Sequence, residues 1–308
     1  MSSKNSEYFS ISAEDAGKRL DVWLTGKLGR FSRSYVEKLI ADGKVKVGGK
    51  NVKTGYRLKA GDAIETAIPE PVVLEARAEE IPLEILYEDD DIIVVNKPRG
   101  MVVHPGPGNY SETLVNALLN HCGDSLSDIN GIIRPGIVHR IDKYTSGVLV
   151  AAKNNRAHRI LSEKLKEHDI KRVYVAAVNG IIVENEGKID APIGRHPVNR
   201  KKMSVNIKNG RKAITHFRVL ERFKSATLLE LTLETGRTHQ IRVHLSYIGY
   251  PVIGDTVYGK KAKNYSFEGQ ALHARLLGFA HPSNGKYMEF VAEPPEEFIE
   301  LVEKLRAE

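Results

Sequence analysis

The segment Gly136-Ile137-Val138-His139-Arg140-Ile141-Asp142-Lys143-Tyr144-Thr145-Ser146-Gly147 concentrates side chains able to do chemistry. Asp142 stands two residues after Arg140, just before a Lys-Tyr-Thr-Ser-Gly turn and the apolar run Val148-Leu149-Val150. A carboxylate on such a strand-to-turn edge, beside a guanidinium, is expected to stay ionised and to point at something other than solvent. That makes Asp142 a candidate nucleophile. The same pattern also fits an Asp that caps its own turn and pairs with Arg140. Two further segments carry reactive types: Lys171-Arg172-Val173-Tyr174-Val175-Ala176, and Thr235-Gly236-Arg237-Thr238-His239-Gln240-Ile241-Arg242-Val243-His244.

Several reaction classes do not fit these residues. His239 and His244 are five apart, off the i, i+4 spacing of a helical zinc pair, and no Glu lies between them. Cys122 is the single cysteine, which leaves no internal disulfide and no thiolate metal cage; it reads as a small core residue. Thr145-Ser146-Gly147 does not supply the Gly-x-Ser-x-Gly elbow of a Ser-His-Asp hydrolase. The Gly-rich patterns that cradle nucleotide phosphates are missing, so the expected reaction uses neither a metal nor a cofactor. A glycosidase-like hydrolase would want a second catalytic carboxylate, and no motif offers one.

The elements around these residues read as two domains. A chain of 308 residues fits a small module plus one large catalytic-sized domain. From Lys18, an amphipathic helix places Leu20, Trp23 and Leu24 on one face. Ser34-Tyr-Val-Glu37 is expected to form a capping box, opening a helix that ends at Gly43. A hairpin through Val45-Lys46-Val47 and Gly48-Gly49 follows. Residues 67–80, with Pro69 and Pro71, read as a linker between a module at 17–66 and a large domain at 81–308. Within the latter, Ile92 to Val95 has the wholly apolar pattern of a strand buried on both faces. Asp89-Asp90-Asp91 before it reads as a solvated turn. Ser111 is expected to cap a helix through Leu119, a second helix is expected from Asn154 to about His168, and strands around Tyr174 and over Leu228 to Glu234.

Charge points to a polyanion. The net charge is +7, and no Asp or Glu occurs from Ala191 to Leu220, where Arg195, Arg200, Lys201, Lys202, Lys208, Arg211, Lys212 and Arg218 all fall. With Pro192, Gly194, Pro197 and Gly210 this stretch has the look of a loop laid along phosphates. The 41% hydrophobic and 28% charged composition is that of a soluble globular protein. No apolar run approaches a membrane span, the first residues lack a secretory core, and a cytoplasmic, membrane-free, monomeric protein is expected.

The N-terminal module resembles the S4-type RNA-binding domain, in its Arg-Leu-Asp-x-x-Leu opening, Ser-Arg-Ser helix start, Gly-x-Val-x-Val hairpin and Gly-Asp-x-Ile close. The large domain resembles the RluA/RluD-type pseudouridine synthases. His139-Arg-Ile-Asp142-Lys-Tyr-Thr-Ser-Gly147 is similar to the family's His-Arg-Leu-Asp-x-x-Thr-Ser-Gly, with Ile in place of Leu. The Tyr174 strand, Thr235 to Arg242, Pro251-Val-Ile-Gly254-Asp255 and Leu272-His273-Ala274 follow in the family's order. The resemblance implies an α+β fold, with a long, mostly antiparallel mixed sheet flanked by helices and a central cleft, behind a small α/β S4-type domain.

It also implies an isomerase that cuts the N1–C1′ bond of a uridine, turns the base and rejoins it through C5. In that reading Asp142 is the catalytic carboxylate, acting at the sugar or at the uracil ring. Arg237 pairs with Asp142, and Tyr174 stacks on the uracil and takes the C5 proton. Leu272 helps close the pocket to water, and Arg140 fills the gap left by a flipped nucleotide. Arg19, Arg33, Lys44, Lys46, Arg195, Arg200, Lys201, Lys202, His239 and Arg242 are the expected RNA contacts. Val102-Val-His-Pro-Gly106, Leu114 to Leu119 and the S4-type module bring the chain nearest to the enzymes of large-subunit ribosomal RNA. Transfer RNA and a non-catalytic ribosome-assembly role are the alternatives.

Overall fold

The computed structural model describes residues 6–29, 31–68, 76–106, 108–123, 125–131, 133–199, 202–259 and 265–308. Backbone proximity divides the chain into two units, Met1–Val73 and Leu74–Glu308. The first contains β1 (Ser6–Ser10), α1 (Leu20–Leu28), α2 (Arg33–Ala41), β2 (Val45–Val47), β3 (Lys50–Asn51) and β4 (Ala63–Ala67), with sheet order β1-β4-β2-β3. Leu20, Trp23 and Leu24 are buried from α1, Val36, Leu39 and Ile40 from α2, and Val45 and Val47 from β2, so the 3.6- and 2-residue periods meet in one core. Two local details depart from the sequence expectation. The cap of α2 is Ser32, whose hydroxyl accepts from the Tyr35 N–H, while Glu37 pairs with Arg33 at 3.2 Å. Starting the helix one residue earlier gives Glu37 an i, i+4 partner in place of a capping role. The unit also begins before the expected start at residue 17, because β1 pairs along β4 and seats Phe9 edge-on against Trp23, at 5.6 Å between ring centres.

The second unit contains β5 (Glu84–Glu88), β6 (Ile92–Lys97), α3 (Leu114–Cys122), β7 (Ser146–Ala152), α4 (Asn155–Glu167), β8 (Lys171–Asn179), β9 (Glu186–Asp190), β10 (Ile193–Arg195), β11 (Met203–Val205), β12 (Ile214–Arg222), β13 (Ala226–Leu233), α5 (Gln240–Tyr247), β14 (Leu272–Ala280), β15 (Tyr287–Val291) and α6 (Glu296–Arg306). Nine strands form one sheet, in the order β5-β6-β7-β14-β8-β13-β12-β9, with β15 also on β14. Only the β7–β14 ladder is parallel, which makes the sheet mixed and mostly antiparallel, as expected. The apolar run of β6 is covered on both faces. Ile92 and Val94 join a core with Ala157 and Leu161 of α4, while Ile93 and Val95 join one with Leu114, Val115 and Leu118 of α3.

Capping here also differs in one place. Thr113, not Ser111, caps α3, in a reciprocal box with Asn116. Asn116 Nδ2 also donates to the Arg77 carbonyl at 2.7 Å, and the Glu79 N–H donates to the Asn116 carbonyl at 3.1 Å. The C-terminal part of the expected linker is thus bonded to α3; residues 69–75 of it lie outside the described residues. The Asp89–Asp91 turn is more than solvated. Asp89 Oδ2 accepts from Tyr87 Oη and His281 Nε2, both at 2.8 Å, and Asp91 Oδ1 accepts from Asn154 at 2.8 Å. These carboxylates staple the β5–β6 turn to the start of α4 and to the loop after β14.

Candidate active site

Asp142 sits on a turn that leads straight into β7. The Thr145 N–H closes the turn on the Asp142 carbonyl at 3.0 Å. Gly147 then takes φ +113°, and a Cβ there would fall 2.1 Å from the Ala274 carbonyl oxygen of the parallel strand β14, so only glycine fits. Thr145 Oγ1 accepts from Gln270 at 3.0 Å, and Ser146 Oγ lies 2.9 Å from His273 Nδ1. The Thr-Ser-Gly triplet therefore anchors the turn to the sheet. Beneath it the fully buried Lys97 donates from Nζ to the carbonyls of Pro98 (2.6 Å), Met101 (2.9 Å) and Lys143 (3.3 Å). Burial pushes its ammonium down to about 7, against the opposing charge of Asp142.

A cleft in this unit brings together Arg140, Asp142, Tyr174, Arg237, His239, Arg242 and Leu272. The partner of Asp142 is not the expected one. Arg242 Nη1 donates to Asp142 Oδ2 at 2.8 Å, whereas Arg237 Nε donates to the Lys212 carbonyl at 3.0 Å. The loop explains this: Gln240 Oε1 accepts from the Arg237 N–H (2.9 Å) and Thr235 Oγ1 (2.8 Å), pinning residues 235–239 ahead of α5. Arg242, on the buried first turn of α5, is the guanidinium that faces the turn of Asp142. It is held from behind by Asp255, which accepts from Nε at 2.7 Å and Nη2 at 3.0 Å. Burial alone disfavours the Arg242 charge, but Asp255 and Asp142 together raise its pKa. Asp255 stays below the usual carboxylate range in spite of burial, through Arg242 and the N–H groups of Tyr258 and Val257.

Tyr174, on β8, and Leu272, on β14, are buried cleft walls, at 9% and 5% exposure. Burial raises the Tyr174 phenol above its ordinary value, with Arg172 opposing. Arg140 is exposed and rests Nη1 3.3 Å from His104 Nε2, whose other nitrogen lies 3.1 Å from the Pro105 carbonyl.

Of the expected RNA contacts, Lys44 and Lys46 are exposed, Lys46 opposite the buried Val45 and Val47 on β2. Arg19 and Arg33 are instead engaged from two sides with the buried Asp21: Arg19 Nε at 3.0 Å and Arg33 Nη2 at 2.6 Å. Their outer faces remain about half exposed, at 44% and 51%. Arg195 ends β10 in an exposed position, and Lys202 Nζ donates to the Val257 carbonyl at 2.7 Å. Arg200 and Lys201 lie outside the described residues.

Three contributors had no role assigned from the sequence: Lys97, Asp255 and Tyr258. An isolated lysine closing the apolar run Ile92–Val95, and an isolated acid after Val252-Ile253-Gly254, were the available signals. No helix among the described residues is long and apolar enough to cross a membrane.

Comparison with known proteins gives the family of the chain. The family profile described as RNA pseudouridylate synthase matches residues 91–247, and that of the S4 domain matches residues 18–64. An uncharacterized RNA pseudouridine synthase of Bacillus subtilis is 52% identical over 297 residues, covering 96% of this chain and 97% of the relative. Ribosomal large subunit pseudouridine synthase D of Zymomonas mobilis is 45% identical, with 97% of each chain covered. Among solved structures, human RNA pseudouridylate synthase domain containing 1 matches with a TM-score of 0.58 and 26% identity, over 78% of this chain and 98% of that one. The family read from the Asp142, Tyr174 and Arg237 segments is borne out: the chain belongs to the RNA pseudouridylate synthases, of the RluA/RluD type, and is an isomerase acting on RNA.

Proposed function

We propose that this enzyme converts uridine to pseudouridine in large-subunit ribosomal RNA, in the cytoplasm and as a monomer, with Asp142 as its catalytic carboxylate. The observation that carries the catalytic assignment is the Arg242–Asp142 ion pair at 2.8 Å, on a cleft walled by Tyr174 and Leu272. The choice of RNA is supported by the relatives named ribosomal large subunit pseudouridine synthase D, at 45% identity in Zymomonas mobilis and 43% in Vibrio vulnificus. Residues 17–66 serve as the RNA-binding module, 67–80 as the connector and 81–308 as the catalytic domain.

The reaction balances without a cofactor. The N1–C1′ bond breaks, the C5–C1′ bond forms, the C5 proton is lost, and N1 gains one. Asp142 acts at the sugar or at the ring while Arg242 fixes one of its oxygens. Tyr174 offers its ring face to the uracil, and Leu272 keeps water from the open glycosidic bond. Arg140, exposed at the rim, occupies the place of the flipped nucleotide. Arg237 closes the loop beside the cleft.

The test is pseudouridine mapping of large-subunit ribosomal RNA after incubation with purified protein and no added cofactor, wild type beside Asp142→Asn. Wild type is expected to form new pseudouridines. Asp142→Asn should form none while still binding RNA, a loss beyond the roughly 10² to 10⁴ of a general base. Modification of transfer RNA alone would refute the ribosomal assignment, and equal activity of both proteins would refute Asp142.

A further inference from the structure

We propose that Tyr258 and His239 form a positioning relay that orients Asp142 through its second carboxylate oxygen. The inference rests on the reading of Asp142 as the catalytic carboxylate and adds two residues to it. Arg242 occupies Oδ2; the other oxygen, Oδ1, faces His239 Nε2 at 3.7 Å. On the far side of the imidazole, Nδ1 lies 2.9 Å from Tyr258 Oη. Tyr258 Oη in turn accepts the N–H of Met203, on β11, at 3.0 Å.

The carboxylate on one side of the ring and the phenol on the other favour one tautomer. A backbone N–H only donates, so the phenol accepts from Met203 and has its single proton left for His239 Nδ1. An Nδ1 that accepts leaves the ring proton on Nε2, pointing at Asp142 Oδ1. The opposite tautomer would turn a lone pair toward a carboxylate and strip the phenol proton of this acceptor. Burial favours the neutral forms that this pairing needs, lowering the His239 pKa against the pull of Asp142 and raising that of Tyr258. At 3.7 Å the last link is an ion–dipole contact, one that a sub-ångström movement of Asp142 on substrate binding turns into a hydrogen bond.

The backbone supports a role beyond packing. His239 takes φ +56° and ψ +22°, a left-handed conformation that Gly or Asn adopts with less strain. An imidazole kept there has its direction set by the chain entering α5. Tyr258 is also tied down on its face, with the Arg242 guanidinium 5.1 Å from the ring centre. The phenol therefore touches both arms that reach Asp142.

The test compares Tyr258→Phe, His239→Asn and the double variant with wild type. Phe keeps the ring on Arg242 but removes the hydroxyl; Asn tolerates the left-handed backbone but is too short to reach Asp142. Each single variant is expected to lower the single-turnover rate of pseudouridine formation about tenfold, with the RNA affinity of Tyr258→Phe unchanged. The double variant should be no slower than the slower single one. In parallel, ¹⁵N-histidine spectra of the RNA-free protein should show His239 as the Nε2–H tautomer in wild type and a mixture in Tyr258→Phe. An Nδ1–H tautomer in wild type, wild-type rates in both single variants, or additive losses in the double would overturn the relay. A wild-type protein that modifies no RNA would sink the reading of Asp142 instead, and the spectra would still decide the tautomer.

Discussion

Arg242 and Asp142 meet at 2.8 Å across one hundred residues of chain, and Arg242 is simultaneously held by Asp255 at 2.7 Å. One buried guanidinium thus serves two carboxylates. Removing it takes the guanidinium partner from both acids, whereas removing Arg237 frees the Lys212 carbonyl. Arg242→Met is expected to destabilise the catalytic unit by about 3 to 5 kcal/mol and to lower kcat/KM by more than about 10². Arg237→Met should cost less than about tenfold in kcat/KM. Urea melts and kcat/KM on the target RNA separate the two; equal losses would mean that Arg237 moves onto Asp142 when RNA binds.

What the sequence made legible follows from how local each signal is. Asp142, Tyr174 and Leu272 lie in short segments whose residue types are specific, and all three line one cleft. The strand at Ile92 and the helix capped by Asn154 were readable from period and cap alone. The identity of the Asp142 partner was not, because Arg237 and Arg242 share one segment. Which of them turns inward depends on Gln240, whose amide bonds Ile214 and Thr215 of β12, a contact between distant parts of the chain. Lys97 is not legible because nothing local says that a lysine will be sealed under a turn whose carbonyls come from positions 98, 101 and 143. Strand β1 is not legible either, because its partner β4 is more than fifty residues away.

Lys97 gives the stability of the catalytic unit a specific pH dependence. Its folded-state value is about 7, against an ordinary 10.5, so between these limits the unfolded chain binds the extra proton. Stability from this group is therefore lowest and flat below pH 7, and rises with pH toward 10.5. Lys97→Met removes that slope. Chemical denaturation at pH 6.5, 8 and 9.5 should show wild type gaining on the variant at each step. The variant also leaves three carbonyls around the Asp142 turn without their donor, and its kcat should fall by roughly tenfold even where it is folded. A constant difference across the pH range would mean that the buried amine keeps its proton.

Asp21 supplies a slope of the same sign, but in the acid range and in the N-terminal unit. The hydrogen bond from Arg19, opposed by burial and joined by Arg33, lowers its carboxyl from 3.8 to about 2. A depressed carboxyl contributes stability that is complete above pH 3.8 and lost as pH falls through about 2. The contribution is roughly 2 kcal/mol, and Asp21→Asn should lack it. Trp23 is the only tryptophan and lies in this unit's core, so its fluorescence reports this transition. The gap between wild type and variant should hold from pH 7 to pH 4.5 and narrow as the pH falls from 3.8 through about 2. A gap undiminished at pH 2 would show that Asp21 acts through shape, not charge.

RNA binding should divide the basic residues of the N-terminal unit into two kinds. Arg19 and Arg33 are engaged with Asp21, while Lys44 and Lys46 are exposed, Lys46 on the face of β2 that turns away from the core. Each phosphate that a lysine neutralises adds roughly 0.7 to 0.9 to the slope of log K against log salt. Lys44→Ala with Lys46→Ala should therefore reduce that slope by about 1.5 and leave the Trp23 unfolding transition where it was. Arg19→Ala is expected to lower the transition as well as the affinity, because it strips a buried carboxylate of a partner. The affinity should be measured by titration from 50 to 300 mM salt. A slope identical in wild type and the double lysine variant would remove the β2 face from the RNA interface, while a shifted transition in that variant would place its lysines in the fold.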